Sequence, residues 1–423
     1  MSDKKHVSWL YEQLPDLVGR GIVNAETAER LRQHYGKLTG GRRWAIILFG
    51  ILGAALIGGG IILLLAHNWD ELSRPVRAVI SFVPLVLAQA LAGYVMWKRR
   101  DSTAWCEGAG TFWALAIGAT ISLVAQTYHI AGDLAAFVLT WSLAALPVVY
   151  LLNSSAAAAL YFVGITVWVG NVHWQRGQEA WFWLLLALAL PHLWMVAREN
   201  RYRPQVGLLL TVLAICVAFG IGFSLDRIHG KTWLPVFTSY FAALYMIGEL
   251  WFGEGRTMRQ RPLQTIGGLG AIALATMMTF REVWEHLIDQ GTWWTLAHSP
   301  LIVWPVMGLA LWVLTLKRRN LVAAVFGGLP VVSLVGLTLS GITVLVLMNL
   351  YMLGLGVALI ALGVRERRLG VVNLGLVVTS TLIIARFFDA DMSFVVRGLA
   401  FIAVGVGFLV ANILLVRRMR GTA

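Results

Sequence analysis

Two arginines at the start of long apolar runs are the first candidates for chemistry in this sequence. Arg77 and Arg397 each open such a run, and carboxylates precede both. If the runs are helices, their first turns present free backbone N–H groups and the positive end of the helix dipole. Arginine adds a planar bidentate donor, so the combination predicts a phosphate or carboxylate site. The candidate set is Arg74, Arg77, Arg386, Arg397, Asp70, Asp389, Asp391 and, within a later run, Asn349.

A structural alternative exists for the same residues. The neighbouring carboxylates are close enough in sequence to neutralise the arginines, and the whole group could be an ion-pair network that closes one end of a helix bundle. We give this alternative more weight, because charges at membrane depth usually pair with one another. For Asn349, a hydrogen bond between helices is likewise favoured over ligand contact.

Histidines form a second constellation. His67, His129 and His173 each end an apolar run, and Asp133 is close in sequence to His129. Imidazole and carboxylate are metal ligands, so these four residues are a candidate metal site. The H-x-x-H and H-E-x-x-H spacings of known metal motifs are missing from the sequence. Interfacial polarity is therefore the favoured interpretation, and no cofactor is expected.

The elements that must position these residues are long apolar segments. The chain of 423 residues is 58% hydrophobic and 13% charged, about half the charge of a soluble domain. Runs of about 20 apolar residues can cross a bilayer as helices. We predict an all-α, polytopic membrane protein with about 14 spans, at 44–66, 75–97, 106–127, 134–152, 155–171, 180–197, 205–224, 234–252, 263–281, 299–316, 320–338, 342–363, 369–386 and 394–416.

The basic residues set the orientation of these spans. Of 34 Lys and Arg residues, 26 fall in the two tails and in alternate loops, including 98–100, 198–203, 256–261, 317–319 and 365–368. The other eight are Arg74, Arg77, Arg176, Arg227, Lys231, Arg281, Arg386 and Arg397. Because basic loops stay in the cytoplasm, both termini are predicted to be cytoplasmic. The net charge of +13 then reflects topology and attraction to anionic lipid, and no nucleic-acid partner is expected.

Three domains follow from this pattern. Residues 1–42 are predicted as a cytoplasmic helical hairpin, 43–416 as the transmembrane bundle and 417–423 as a basic cytoplasmic tail. Asn24 is the predicted N-cap of the second hairpin helix. About thirty residues bury little surface alone, so the hairpin is expected to dock on the membrane domain or on another subunit. In the longest outer loop, 282–298, Trp284 and Trp293 predict a helix anchored in the interface, with a lid as the alternative.

Several short stretches resemble a known family. They are Trp9-Leu10, Leu14-Pro15, Gly21-Ile22, Tyr35-Gly36, Asn68-Trp69-Asp70 and Tyr128-His129-x-x-Gly132-Asp133. These resemble the bacterial membrane family called domain of unknown function 2157. The stretch from Arg386 to Asn412 resembles the C-terminal part of related predicted membrane proteins. The resemblance implies a bacterial inner-membrane protein and supplies no activity or site residues.

Three functions of different classes remain. The favoured one is a transporter or lipid flippase that recognises an anionic or lipid-linked ligand at the periplasmic side. A weak parallel repeat of the hairpins that contain Arg77 and Arg397 supports it, while the lack of a carboxylate or histidine near the predicted midplane argues against strong proton coupling. The alternatives are a membrane enzyme that acts on a lipid-linked substrate and a non-catalytic scaffold or sensor, with a membrane-protein partner or a second copy. An enzyme is the less favoured class.

The orientation yields a prediction about reporter fusions. A fluorescent protein fused after Ala423 should fold and fluoresce, and alkaline phosphatase at the same position should be inactive, because each reporter works on only one side of the inner membrane. Whole-cell fluorescence and phosphatase activity measure this. Active phosphatase at that position would contradict the predicted orientation.

Overall fold

The computed structural model describes residues 10, 14, 17–35, 72–172, 179–225, 232–253, 260–285, 300–339, 341–389, 402 and 405. Every regular element in these ranges is helical. The chain divides into two compact units, Met1–Arg77 and Ala78–Ala423. In chain order the helices α1 to α14 are Ala25–Tyr35, Arg74–Lys98, Thr103–Thr127, Leu134–Leu151, Ser155–Val172, Glu179–Glu199, Pro204–Leu225, Trp233–Phe252, Pro262–Met277, Arg281–Glu285, Val303–Lys317, Leu321–Gly336, Gly341–Arg365 and Leu369–Asp389, with a 3₁₀ turn at Pro300–Ile302 before α11.

Within the first unit, α1 begins as the sequence indicates. Asn24 Oδ1 accepts a hydrogen bond from the Thr27 backbone N–H at 2.7 Å, which is the expected N-cap. Gly21 has φ +69°, a left-handed conformation that suits glycine in the turn before the cap. Most of the preceding helix of the predicted hairpin falls outside the described residues. The hairpin as a whole therefore stays a prediction.

Eight described helices are long and apolar enough to cross a membrane: α2 to α7, α13 and α14. The predicted bounds agree closely with them, for example 205–224 against Pro204–Leu225. Helices α9, α11 and α12 are apolar but shorter, at 15 or 16 residues. The predicted spans 44–66 and 394–416 lie outside the described residues. The described residues therefore support an all-helical membrane protein with eight candidate spans, and the count of about 14 spans stays a prediction.

Four tight turns connect successive helices in the same way. His129, Asn153, Arg319 and Arg367 follow helix ends with φ between 49° and 54°. In each case the next residue donates its backbone N–H to the carbonyl five residues earlier, as Ser154 does to Val149 at 3.1 Å. This is the Schellman pattern, which satisfies carbonyls that the helix leaves free. Short turns of this kind make the connected helices antiparallel neighbours.

Helix α8 is the centre of the second unit. It packs against α7, α9, α11 and α12, and most of its side chains are buried. Tyr240 and Leu244 belong to one apolar cluster with α3 to α7, whereas Leu234 and Tyr245 belong to another with α12 to α14. Since one helix contributes to both clusters, it holds the two sets of helices together.

Trp284 corrects one sequence expectation. It was predicted to anchor an interfacial helix, but only 2% of its surface is exposed. Its indole N–H donates to the Met278 carbonyl at 2.7 Å, and a Cβ on Gly336 would lie 2.5 Å from its ring. Trp284 therefore packs inside the bundle. Residues 286–299, which include the rest of the predicted interfacial helix, lie outside the described part of the chain.

Close backbone packing of α8 and α9 generates a stability prediction. A Cβ at Gly267 would lie 2.4 Å from the Tyr245 backbone nitrogen and 2.7 Å from the Phe241 carbonyl oxygen. Gly267→Ala should push the helices apart and cost about 1–3 kcal/mol of stability. Gly93→Ala is the matched control, because a Cβ there meets nothing within 4 Å. Unfolding in mild detergent, followed by tryptophan fluorescence, measures both; equal stability of the two variants would contradict the packing.

Candidate functional site

Two turns that carry basic residues, α2–α3 and α6–α7, meet the α4–α5 turn at one end of the second unit. Side chains from the α2–α3, α4–α5 and α6–α7 turns line a single cavity there. Arg201, from the α6–α7 turn, donates to the Trp251 carbonyl at the C-terminus of α8 at 2.8 Å. We call this region the basic end. It contains the site described below.

Glu107 ties the start of α3 to the start of α5. Its Oε2 accepts hydrogen bonds from the Ser154 hydroxyl at 2.9 Å and the Ala156 backbone N–H at 2.8 Å. Ser154 Oγ in turn accepts from the Ala157 backbone N–H at 3.2 Å. Free N–H groups and the positive dipole end of a helix favour a carboxylate at this position. The network fixes the Glu107 side chain in the cavity wall.

A buried histidine lies behind the same wall. His192, on α6, has no exposed surface, and its Nε2 is 3.4 Å from Ser155 Oγ. The ring packs edge-on against Tyr150, whose hydroxyl donates to the Leu188 carbonyl. His192 Nδ1 is buried without a hydrogen-bond partner among the described residues. Ser155 lines the cavity, so it connects this histidine to the open space.

The cavity has a volume of about 670 Å³, within the range of small-molecule sites. Apolar side chains form part of the wall, among them Met96, Leu151 and Met195. The charged groups of the wall are three arginines and three carboxylates, namely Arg100, Arg198, Arg203, Asp101, Glu107 and Glu199. A cavity of this size with both signs of charge can hold a small polar ligand or a headgroup.

Two of the cavity arginines are available for a ligand. Arg203 pairs with Glu199 on the surface. Arg100 and Arg198 form no ion pair with a described residue, and both are exposed. Guanidinium groups in this state can bind phosphate or carboxylate in a bidentate manner.

A second charged cluster at the basic end is structural. Glu249, near the C-terminus of α8, is 7% exposed and pairs with Arg368 at 2.5 Å. The amide of Gln264, on α9, donates to the other carboxylate oxygen. Burial works to lower the pKa of Arg368, but the hydrogen bond and charge of Glu249 outweigh it, and the pKa is raised. The ion pair joins α8 to the turn between α13 and α14.

The arginines predicted from sequence occupy different surroundings. Arg74 and Arg77 lie in the first turn of α2, as expected. Arg77 Nε donates to the Leu72 carbonyl at 2.8 Å, so the side chain holds the chain segment that enters the helix. Asp70, the neighbouring carboxylate of the prediction, lies outside the described residues, as does Arg397 with Asp391.

Arg386 lies at the opposite end of the second unit, where two of its contacts are with uncharged groups. It donates to the Thr279 hydroxyl at 3.2 Å, and its guanidinium carbon lies 4.7 Å from the centre of the Phe280 ring. Asp389 ends α14, and its side chain is outside the described set. The predicted anion site at this end therefore stays a prediction.

Asn349 and the predicted metal ligands have local roles where they are described. Asn349 donates to the Leu345 carbonyl of its own helix at 2.8 Å. Asp133 caps α4 by accepting from the Ala136 backbone N–H at 2.6 Å, and His129 forms the preceding turn. In the described residues no three His, Cys, Asp or Glu side chains come together as a metal site would need. His67 and His173 lie outside those residues, so the metal site remains untested.

The comparisons with known proteins agree with the sequence resemblance. Residues 15–158 match the model of a family described as predicted membrane protein (DUF2157). This confirms the resemblance for about a third of the chain, including Glu107 and Ser154, but it does not extend to the α6 and α7 side of the cavity. Neither the curated proteins nor the solved structures contain a match to the chain.

The buried ion pair yields a prediction. Glu249→Gln removes the buried counter-charge of the Arg368 guanidinium and leaves it only the more exposed Glu366 carboxylate at 3.4 Å, and the loss should cost about 3 kcal/mol. Glu285→Gln removes the carboxylate of the exposed Arg281–Glu285 pair and should change stability by less than about 0.5 kcal/mol. Unfolding in mild detergent compares the two variants. Equal losses would show that the Glu249 pair does not hold α8 in place.

Proposed function

We propose that the protein recognises a phosphate-bearing or other anionic, lipid-linked ligand at its basic end, in the manner of a transporter or flippase. The observation that carries the proposal is the cavity between the α2–α3, α4–α5 and α6–α7 turns, with Arg100 and Arg198 in its wall. A solid bundle would have favoured a scaffold. The cavity favours a protein that holds a ligand.

The proposal includes a location. A bacterial inner membrane with both termini in the cytoplasm follows from the distribution of basic residues, and the basic end then faces the cytoplasm. The ligand cavity would lie on that side, opposite to the periplasmic site predicted from Arg77 and Arg397. Membrane lipid is the partner expected from the location, while a second copy or another membrane protein would be contacted elsewhere.

A membrane enzyme is a second candidate, and one observation favours it. Ser155 Oγ lies 3.4 Å from His192 Nε2, beside the carboxylate of Glu107. A serine nucleophile needs a histidine base that a third group orients. His192 Nδ1 has no such partner among the described residues, and Glu107 bonds to Ser154 and Ala156 instead. Ligand binding therefore has the stronger support.

A binding experiment tests the proposed function. Short-chain phosphatidylglycerol is titrated into the detergent-purified protein and bound lipid is measured by native mass spectrometry. Arg198→Gln should weaken binding about tenfold, because a hydrogen bond to a charged group is worth roughly 1.5–3 kcal/mol. Arg318→Gln is the control: it removes an exposed arginine from another basic turn that does not line the cavity. Equal affinity of the two variants would contradict a role for the cavity.

A further inference from the structure

The charges of the cavity wall are balanced, which bears on the kind of ligand that fits it. Asp101 and Glu107 line the same space as Arg100 and Arg198. A simple anion bound by the arginines would be repelled by these carboxylates. A ligand with both an anionic and a cationic group could pair with the arginines and with the carboxylates.

The carboxylates of Glu107 and Asp101 have oxygens that can bind a cation. Only Oε2 of Glu107 is used by the helix cap, and Oε1 has no hydrogen bond to a described residue. Asp101, in the α2–α3 turn, is exposed and forms no ion pair with a described residue. A primary ammonium group has three N–H donors, which these oxygens can accept.

Aromatic side chains place the cavity at the depth of lipid headgroups. Trp97, Trp105 and Trp194 are each at least 44% exposed and lie near the basic ends of α2, α3 and α6, the helices that form the wall. The Lys98 ammonium lies 4.3 Å from the centre of the Trp97 ring. Exposed tryptophan with neighbouring lysine is typical of the boundary between hydrocarbon and water.

We propose that the cavity binds a zwitterionic phosphate monoamine, its phosphate on Arg100 and Arg198 and its ammonium group on Glu107 and Asp101. This inference rests on the proposed function and names its ligand class. The same chemistry occurs in an ethanolamine phospholipid and in free O-phosphoethanolamine. The apolar wall of Met96, Leu151 and Met195, together with the exposed tryptophans, favours the lipid, whose glycerol and first acyl carbons would lie against these side chains.

The experiment compares headgroups on the intact, detergent-purified protein. Short-chain phosphatidylethanolamine, phosphatidylcholine and phosphatidylglycerol, and free O-phosphoethanolamine, are titrated separately and measured by native mass spectrometry. Phosphatidylethanolamine should bind about tenfold more tightly than phosphatidylglycerol, which has no amine, and than phosphatidylcholine, whose quaternary amine has no N–H donor. Weaker binding of O-phosphoethanolamine than of the lipid assigns the ligand to the membrane; equal binding assigns it to the free molecule.

The variant Glu107→Gln completes the test. Glutamine keeps an oxygen that can accept the helix-capping hydrogen bonds of Ser154 and Ala156, so the fold is retained while the charge is lost. The variant should lose the preference for phosphatidylethanolamine and retain the weaker binding of phosphatidylglycerol. Glu285→Gln, at an exposed pair outside the cavity wall, is the control and should keep the preference.

The outcomes separate this inference from the proposed function. If the three lipids bind equally and Arg198→Gln abolishes this binding, the preference for a zwitterionic headgroup is overturned while the proposed function stands. A preference for phosphatidylethanolamine that survives Glu107→Gln would also overturn it. If none of the lipids binds in a way that depends on Arg198, both the zwitterionic ligand and the proposed function are overturned.

Discussion

Hydrocarbon offers no hydrogen bonds, and this constraint governs how the helices of the chain end. A helix satisfies its own backbone groups except for those of its first and last turns. In this protein, side chains and tight turns supply many of the missing partners. Ser154 and Glu107 cap the start of α5, Asp133 caps α4 and Asn320 caps α12. Arg201 and Arg261 bind carbonyls at the end of α8.

These caps explain why polar side chains concentrate at the basic end. Arginine is favourable at helix C-termini, and carboxylates are favourable at N-termini, because of the helix dipole. Where α2, α4 and α6 end and α3, α5 and α7 begin, both preferences operate within one region. The result is a cavity whose wall carries both charges. The ligand that we propose uses groups that helix termination had already brought there.

Hydropathy alone predicted the eight described helices that are long enough to span a membrane, because an apolar run must have this length to cross the bilayer wherever it packs. The hydropathy and charge pattern was a weaker guide to the residues that line the cavity. Arg100, Arg198 and Arg203 were assigned to orientation, since a basic loop residue looks the same whether or not it lines a cavity. Glu107 and Glu249 lie near helix ends, but Ser154 and Arg368, with which they pair, are 47 and 119 residues away in sequence. Asp133 was a candidate metal ligand, and its local sequence does not distinguish a capping carboxylate, as observed here, from a coordinating one. Only packing distinguishes these roles.

Ligand binding in the cavity at the basic end is tested most directly by an experimental structure of the protein in nanodiscs of bacterial lipid. We expect density for a phosphate group within hydrogen-bond distance of Arg100 and Arg198, with the rest of the headgroup directed towards Glu107. Ordered lipid beside Arg386 at the opposite end, together with a cavity that contains only water, would contradict ligand binding at the basic end.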